Sequence, residues 1–207
     1  DVIYATLRLD PVVPSVIPNS GIPGDSIKGY DRKPMTQAQL SLTQTFDQVL
    51  GASRLTLIGE TAYTHLSGIS EGKWGEPRYG RSSPFGTGEY YGNNGEDLCR
   101  ALLSNRTEYC NSHGYFTRNS WGYRLRGSLA YNGVIGGLDL SPNLAFSHDV
   151  DGYGPTFNEG AKAISIGISA KYLSNYEASL SYTDYFGGQY NTQVDRDFLS
   201  ASFGVTF

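Results

Sequence analysis

The chain has 207 residues, 13% of them aromatic, 26 of them glycine and only 17% charged, and no stretch approaches the ~18–20 consecutive apolar residues of a membrane helix. Helical membrane spans are excluded, but a membrane barrel is not, because its strands are apolar on one face only. A net charge of -4, with no run of five Lys or Arg, excludes a basic field for nucleic acid.

Taken from its first residue, the chain opens at Asp1 inside an alternating segment. No charged region followed by an apolar one precedes it, so it reads as a mature protein or a C-terminal piece. Segment 1–9 is the weakest of eight with period two, setting Ile3, Ala5, Leu7 and Leu9 against Tyr4, Thr6 and Arg8. In 36–46, Ala38, Leu40, Leu42 and Phe46 oppose Gln37, Gln39, Ser41, Thr43 and Thr45. In 54–64, Leu55, Leu57 and Tyr63 oppose Arg54, Thr56, Glu60 and Thr64, with Ile58 on the wrong face. In 121–131, Trp121, Tyr123, Leu125, Leu129 and Tyr131 oppose Gly122, Arg124, Arg126, Ser128 and Ala130. The fifth segment sets Leu138, Leu140, Leu144 and Phe146 against Asp139, Ser141, Asn143 and Ser147, breached by Pro142. In 162–172, Ile164, Ile166, Ile168, Ala170 and Tyr172 oppose Ser165, Gly167, Ser169 and Lys171. In 176–186, Tyr176, Ala178, Leu180 and Tyr182 oppose Glu177, Ser179, Ser181 and Thr183. The last eleven residues alternate up to the terminal Phe207.

Period two alone suits a soluble sheet or an outer-membrane barrel, whose apolar face meets lipid and whose small polar face lines the lumen. Connection lengths discriminate. Links at 10–34, 65–120, 148–161 and 187–196 are long, whereas 47–53, 132–137 and 173–175 are short. A sandwich is not expected to alternate in this way, and an outer-membrane barrel is. The expected fold is therefore an all-β, antiparallel transmembrane β-barrel with at least eight strands here, its C-terminus periplasmic and its long links external. Aromatic residues agree, since Trp and Tyr favour the two membrane interfaces. With 121–131 descending, Trp121 and Tyr123 lie at the outer level, with Tyr63 and Phe146. Tyr131, Tyr172, Tyr176, Phe46 and Phe207 lie at the inner level. Ten residue steps, tilted, span about 25 Å, the height of the apolar band. A soluble core capped by aromatics is the competing explanation.

Cys99 and Cys110 enclose a stretch rich in Gly, Asn and Ser, with Asn93, Asn94, Asn105 and Asn111 nearby. A disulfide closing a loop, in an oxidising compartment, is the expectation. A metal pair would want further ligands, and only His113 lies near; two reduced thiols are the remaining alternative.

Catalytic chemistry finds little support. His65, His113 and His148 fall at or beyond external strand ends, and no activated nucleophile accompanies them. Asp149, Asp151 and Gly152 begin a D-x-D-G pattern, but Tyr153, Gly154 and Pro155 break the calcium-loop spacing. Asn93, Asn94, Glu96 and Asp97 make a second, equally weak oxygen cluster. No enzyme activity, metal or cofactor is expected. Arg54, Glu60, Arg124, Arg126, Lys171 and Glu177 are the candidate lumen-lining charges. Arg124 and Arg126, about 7 Å apart on one strand face, could attract an anionic head group. The alternative is a salt-bridge lattice with Glu60, Glu177 or Asp139. Asp195, Arg196 and Asp197 are expected to set loop and strand register.

Four stretches together resemble one family: IKGYDRKPMTQAQLSLTQTF from Ile27, SWGYRLRGSLAYNGVIGGLDLSPNLAFSHD from Ser120, FNEGAKAISIGISAKY from Phe157, and the closing LSYTDYFGGQYNTQVDRDFLSASFGVTF. They are similar to the C-terminal part of the proteobacterial outer-membrane family known as domain of unknown function 1302. Members are longer, so the resemblance implies further N-terminal strands and a larger barrel. Genes of members often lie beside one for a periplasmic protein resembling lipoprotein carriers and near those of large inner-membrane exporters, so the resemblance implies such a periplasmic partner and transport of a lipid-like substance. No catalytic residues come with the family. The small residues of the last strands argue the same way, because a closed eight-stranded barrel is filled by its own side chains and these would leave a void. The expected function is an outer-membrane channel or export conduit for an amphipathic or lipid-like solute, in contact with outer-membrane lipid and lipopolysaccharide. A surface receptor or structural envelope subunit, with 65–120 as its contact surface, is the alternative.

Overall fold

A computed structural model describes residues 2–3, 30–71, 78–86, 88–89, 99–100 and 107–206. The alternating segments become strands β3 (Met35–Val49), β4 (Ala52–Leu66), β5 (Asn119–Ala130), β6 (Leu138–Asp151), β7 (Lys162–Tyr172), β8 (Tyr176–Phe186) and β9 (Phe198–Val205). They form one seven-stranded antiparallel sheet in the order β3-β4-β5-β6-β7-β8-β9, so every sequence neighbour is a sheet neighbour. Its longest strands, β3 and β4, have 15 residues each, against about 5–6 for an ordinary strand.

Two expectations are corrected. The first segment does not add an eighth strand to this sheet: β1 (Val2–Ile3) pairs with β2 (Tyr30–Asp31), inside the expected loop 10–34, as a separate two-stranded sheet. Alternation marks a two-faced strand and is silent about which sheet it joins. Residues 4–9 of that segment, Phe207, and Asn93, Asn94, Glu96, Asp97 and Asn105 lie outside the described residues.

The strand ends also differ. The link expected at 47–53 shrinks to Leu50 and Gly51, which adopt φ of 54° and 77°. Positive φ at both central positions is the hairpin geometry that matches strand twist, so polar Asp47 and Gln48 stay in the ladder. Strand β6 runs on through His148 and Asp149, where Asp149 bonds through its backbone to Ala161 (2.9 Å) and Gly160 (2.8 Å). Backbone pairing is indifferent to side-chain polarity.

By Cα proximity the chain divides into two compact units, Asp1–Gln37, Thr64–Ser120 and Asp151–Glu159 in one, and Ala38–Tyr63, Trp121–Val150 and Gly160–Phe207 in the other. The second is the sheet, and its large apolar residues are open: Ile166 is 63% exposed, Leu199 69% and Phe203 72%. The first unit holds a packed core of Leu66, Ile69 and Tyr79 with Phe116 against it. Gly80 is obligatory there. Its φ is +81°, and a Cβ would stand 2.0 Å from the Phe116 ring.

In the same unit Cys99 and Cys110 are bridged, with Cα atoms 5.6 Å apart. Closing a loop of about 12 residues is worth nearly 3 kcal/mol in the chain-entropy model. Reduction is therefore expected to raise protease sensitivity between Arg78 and Tyr115 and to leave the seven-stranded sheet intact. Limited proteolysis with and without dithiothreitol checks this, and unfolding of the whole sheet on reduction would overturn it.

Asp31 ties β2 into this unit. Its carboxylate takes the Lys33 ammonium at 2.7 Å, the Tyr79 hydroxyl at 2.9 Å and the Arg32 amide at 2.8 Å. The hydrogen bond from Lys33, then that from Tyr79, holds the Asp31 carboxyl below the ordinary carboxylate range. A depressed folded-state pKa stabilises at pH values above the unfolded pKa, near 4, and that contribution is lost as pH falls through the folded value. The amide protection factor around Tyr79 is expected to fall below about pH 4 in the wild type. In Asp31→Asn it is expected to be low already at neutral pH, with a flatter acid response. Identical pH profiles for the two proteins would refute the linkage.

Candidate functional site

Period two gives the sheet two chemically distinct faces, and the register shows what each rung carries. On one face Leu138, Tyr172, Tyr176 and Val205 align across β6 to β9, then Leu140, Ala170, Ala178 and Phe203, then Pro142, Ile168, Leu180 and Ala201, then Leu144, Ile166, Tyr182 and Leu199. Pro142 does not interrupt the register. A concavity of about 610 Å³ lies along this face, bordered by Leu55, Leu129, Leu144, Ile166, Ile168 and Leu180 among others.

The opposite face is small and hydroxylated. Ser141, Ser169, Ser179 and Ser202 make one complete serine rung, with Ser179 and Ser202 hydroxyls 2.7 Å apart. The next rung is Asn143, Gly167, Ser181 and Ser200, and the one after it Ala145, Ser165, Thr183 and Phe198, where Thr183 donates to Ser165 at 2.9 Å. Such rungs hold little volume and much hydrogen-bonding capacity, the chemistry of a wall facing water.

The six candidate charges fall into three groups on this face. Lys171 stands directly opposite Asp139 on β6 and Glu177 on β8, an acid-base-acid rung. Opposite charges at facing positions stabilise a ladder by about 0.2–1 kcal/mol. Arg54 sits apart, with Asp47 at 3.4 Å, both well exposed. Glu60, Arg124 and Arg126 come together, lining a concavity of about 320 Å³ with Ile58, Ala145, Ser147, Ala163 and Ser165.

Arg124 is paired with Asp149 at 3.8 Å, not with Glu177 or Asp139, which flank Lys171 instead. Glu60 accepts a bond from the Ser41 hydroxyl at 3.4 Å. Asp149 falls within the expected link 148–161, yet it lies in β6 on the parity of Asp139, ten residues further along. Ile58 does lie with Glu60 and the arginines, off the apolar face.

The aromatic residues sort by strand end. Tyr131 bridges to Leu140 and donates to the Leu50 carbonyl at 3.1 Å, and the rings of Tyr172 and Tyr176, facing each other across the 173–175 turn, are 6.4 Å apart. At the other ends of β5 and β6, Tyr123 lies 6.2 Å from Phe146 and 5.5 Å from His148, and Trp121 is exposed. His148 is thus an edge partner of Tyr123 within a strand, and His65 also lies in a strand, its Nδ1 2.8 Å from Asn119 Oδ1; neither is a loop residue. Asp197 accepts from the Tyr182 hydroxyl (3.1 Å) and the Tyr185 amide (3.0 Å) at the head of β9.

Among the described residues no three His, Cys, Asp or Glu side chains cluster as metal ligands. Gly152, of the D-x-D-G pattern, donates its amide to Glu159 at 3.1 Å.

Comparison with curated proteins and with solved structures gave no match to either. The profile of one family, described as "Protein of unknown function (DUF1302)", matches residues 3–207. The chain, from its first alternating segment to the last strand, belongs to that family.

Proposed function

We propose that this sheet is the wall of an outer-membrane β-barrel that acts as a passive channel or export conduit for an amphipathic or lipid-like solute. One observation carries the reading: a seven-stranded meander exposes a broad, largely apolar face backed by a face of Ser, Gly, Thr and charge. In water such a face would be a large liability, since monomers seldom expose contiguous apolar patches beyond a few hundred Å². Against lipid it is the required surface, and the aromatic residues at both strand ends suit the two interfaces. The barrel reading requires the edges β3 and β9 to be paired, with each other or with further strands, because an open edge is not tolerated in hydrocarbon. Outer-membrane lipid and lipopolysaccharide are then the partners of the apolar face, and a periplasmic protein resembling lipoprotein carriers is the proposed partner at the periplasmic end.

In this reading function rests on lumen shape and charge, and no catalytic step is assigned. Planar-bilayer recording on the full-length protein tests it, together with solute flux into vesicles. Discrete conductance or flux is expected. Absence of both in correctly assembled protein would overturn the conduit.

A second reading, a surface receptor or structural envelope subunit, draws on a different observation. Several large buried side chains, Ile69, Tyr79, Phe85, Tyr115 and Phe157 among them, belong to the disulfide-bearing unit and lie outside the strands of the sheet. Assembled protein that conducts nothing but loses a surface partner on removal of that unit would favour it.

A further inference from the structure

The charges of the polar face are not evenly compensated. Arg54 and Arg124 each have a carboxylate, at 3.4 and 3.8 Å. Arg126 lines the same concavity as Arg124 and has no ion-pair partner among the described residues. Beside it the face turns apolar. Ile58 breaks the polar parity of β4 and is 39% exposed, and Ala145 and Ala163 line the same concavity. The register carries the apolar strip on from Ala163 to Tyr185, alongside the rung on which Ala145 is followed by Ser165 and Thr183 before Phe198. The Tyr185 and Phe198 rings stack 6.3 Å apart. A guanidinium with no ion-pair partner among the described residues, set beside an apolar strip, is an unusual thing to place on a hydroxylated wall.

We propose that Arg126 and this strip form a binding site for an anionic amphiphile. The acid head group takes the Arg126 guanidinium beside Ile58, with hydroxyls such as that of Ser165 within the concavity, and the hydrocarbon chain lies across Ala145 and Ala163 toward Tyr185. The physical reasons are separate for the two ends. Guanidinium is the cation best matched to carboxylate or phosphate, since its planar fork donates two parallel bonds. From β5, which holds Arg126, to β8 is three strand spacings of about 4.8 Å, comparable to the length of an extended ten-carbon tail. Glu60 and Asp149, the acids near Arg124, disfavour a second anion there and leave Arg126 as the anchor.

The proposal rests on the polar face lining an accessible interior, and its test does not require conduction. Full-length protein in lipid nanodiscs is exposed to a ten-carbon carboxylic acid carrying a photoreactive diazirine, or to the corresponding alcohol, and labelled peptides are mapped by mass spectrometry. In the wild type the acid is expected to label peptides holding Ala145, Ala163 or Tyr185, and decanoate to compete while decanol does not. Arg126→Gln is expected to lower this labelling about tenfold, the loss of a charge-assisted hydrogen bond, and to leave labelling by the alcohol unchanged. Ile58→Thr is expected to lower labelling by both probes.

Labelling confined to the lipid-side residues Leu144, Ile166 and Leu180, or equal competition by decanoate and decanol in the wild type, would overturn the site without reference to any variant. Labelling that persists in a protein giving neither conductance nor flux would retain the site and remove the conduit. Conductance without specific labelling would do the reverse.

Discussion

Replacing Leu180 by Arg is expected to destabilise the membrane-assembled protein by about 2–4 kcal/mol, while Arg one residue further on, at Ser181, leaves assembly intact. Leu180 stands on the apolar face between Ile168 and Ala201 and is 48% exposed, so nothing in the protein would solvate a guanidinium there. Ser181 stands between Gly167 and Ser200 on the hydroxylated face, where an added side chain meets space and water if that face lines a lumen. The two substitutions introduce the same group one step apart along one strand. Propensity, charge and distance from the turn are therefore matched, and only the face differs. Urea unfolding in lipid vesicles, followed by the heat-modifiable migration of the folded form, measures the difference. Equal cost at the two positions would refute a lipid-facing register.

How far the sequence carries follows from what period two encodes. Alternation reports which side of a strand each residue takes, because consecutive Cβ atoms point to opposite faces. The serines of the polar face, the leucines and isoleucines of the apolar face and the exceptional Ile58 are all legible on that ground. Alternation does not report where pairing stops. Asp47 and Gln48 look like turn residues, yet they remain in β3 because Leu50 and Gly51 complete the reversal alone. His148 and Asp149 look like loop residues, yet the β6–β7 ladder includes His148 opposite Lys162. Misplacing that boundary hid the acid that pairs with Arg124 and suggested Glu177 and Asp139 instead. Nor does alternation report sheet membership, which is why β1 could be recognised as extended while its partner, Tyr30–Asp31, went unseen.

The disulfide-bearing unit lies beyond such patterns altogether. Its organising residue is Arg81, which sits in an aperiodic stretch with no spacing to mark it. Only 4% of Arg81 is exposed. Its guanidinium donates to the backbone carbonyls of Asn111 (3.1 Å), Phe85 (2.9 Å) and Tyr109 (2.6 Å), and also to that of His113. The Tyr115 ring lies 5.3 Å from its Cζ and 4.3 Å from that of Arg78, so the same ring is engaged by both cations. Carbonyls of an irregular segment have no ladder to satisfy them, and one planar fork with five donors serves four at once.

Arg81→Met, which keeps much of the stem volume and removes every donor, is therefore expected to cost the unit on the order of 4 kcal/mol, since hydrogen bonds to charged groups are worth more than neutral ones and four are lost together. That exceeds the nearly 3 kcal/mol assigned to the Cys99–Cys110 bridge in the chain-entropy model. The two effects are coupled, because Cys110 lies between Tyr109 and Asn111, whose carbonyls Arg81 holds. Reduction in the Arg81→Met background is thus expected to add less than its effect in the wild type, the mark of residues that share one network. Amide exchange across residues 107–116 is the measurement. Strict additivity would mean that bridge and arginine hold different structures. Wild-type protection in Arg81→Met would mean that the four carbonyls find water without loss, and that the arginine does not organise the unit.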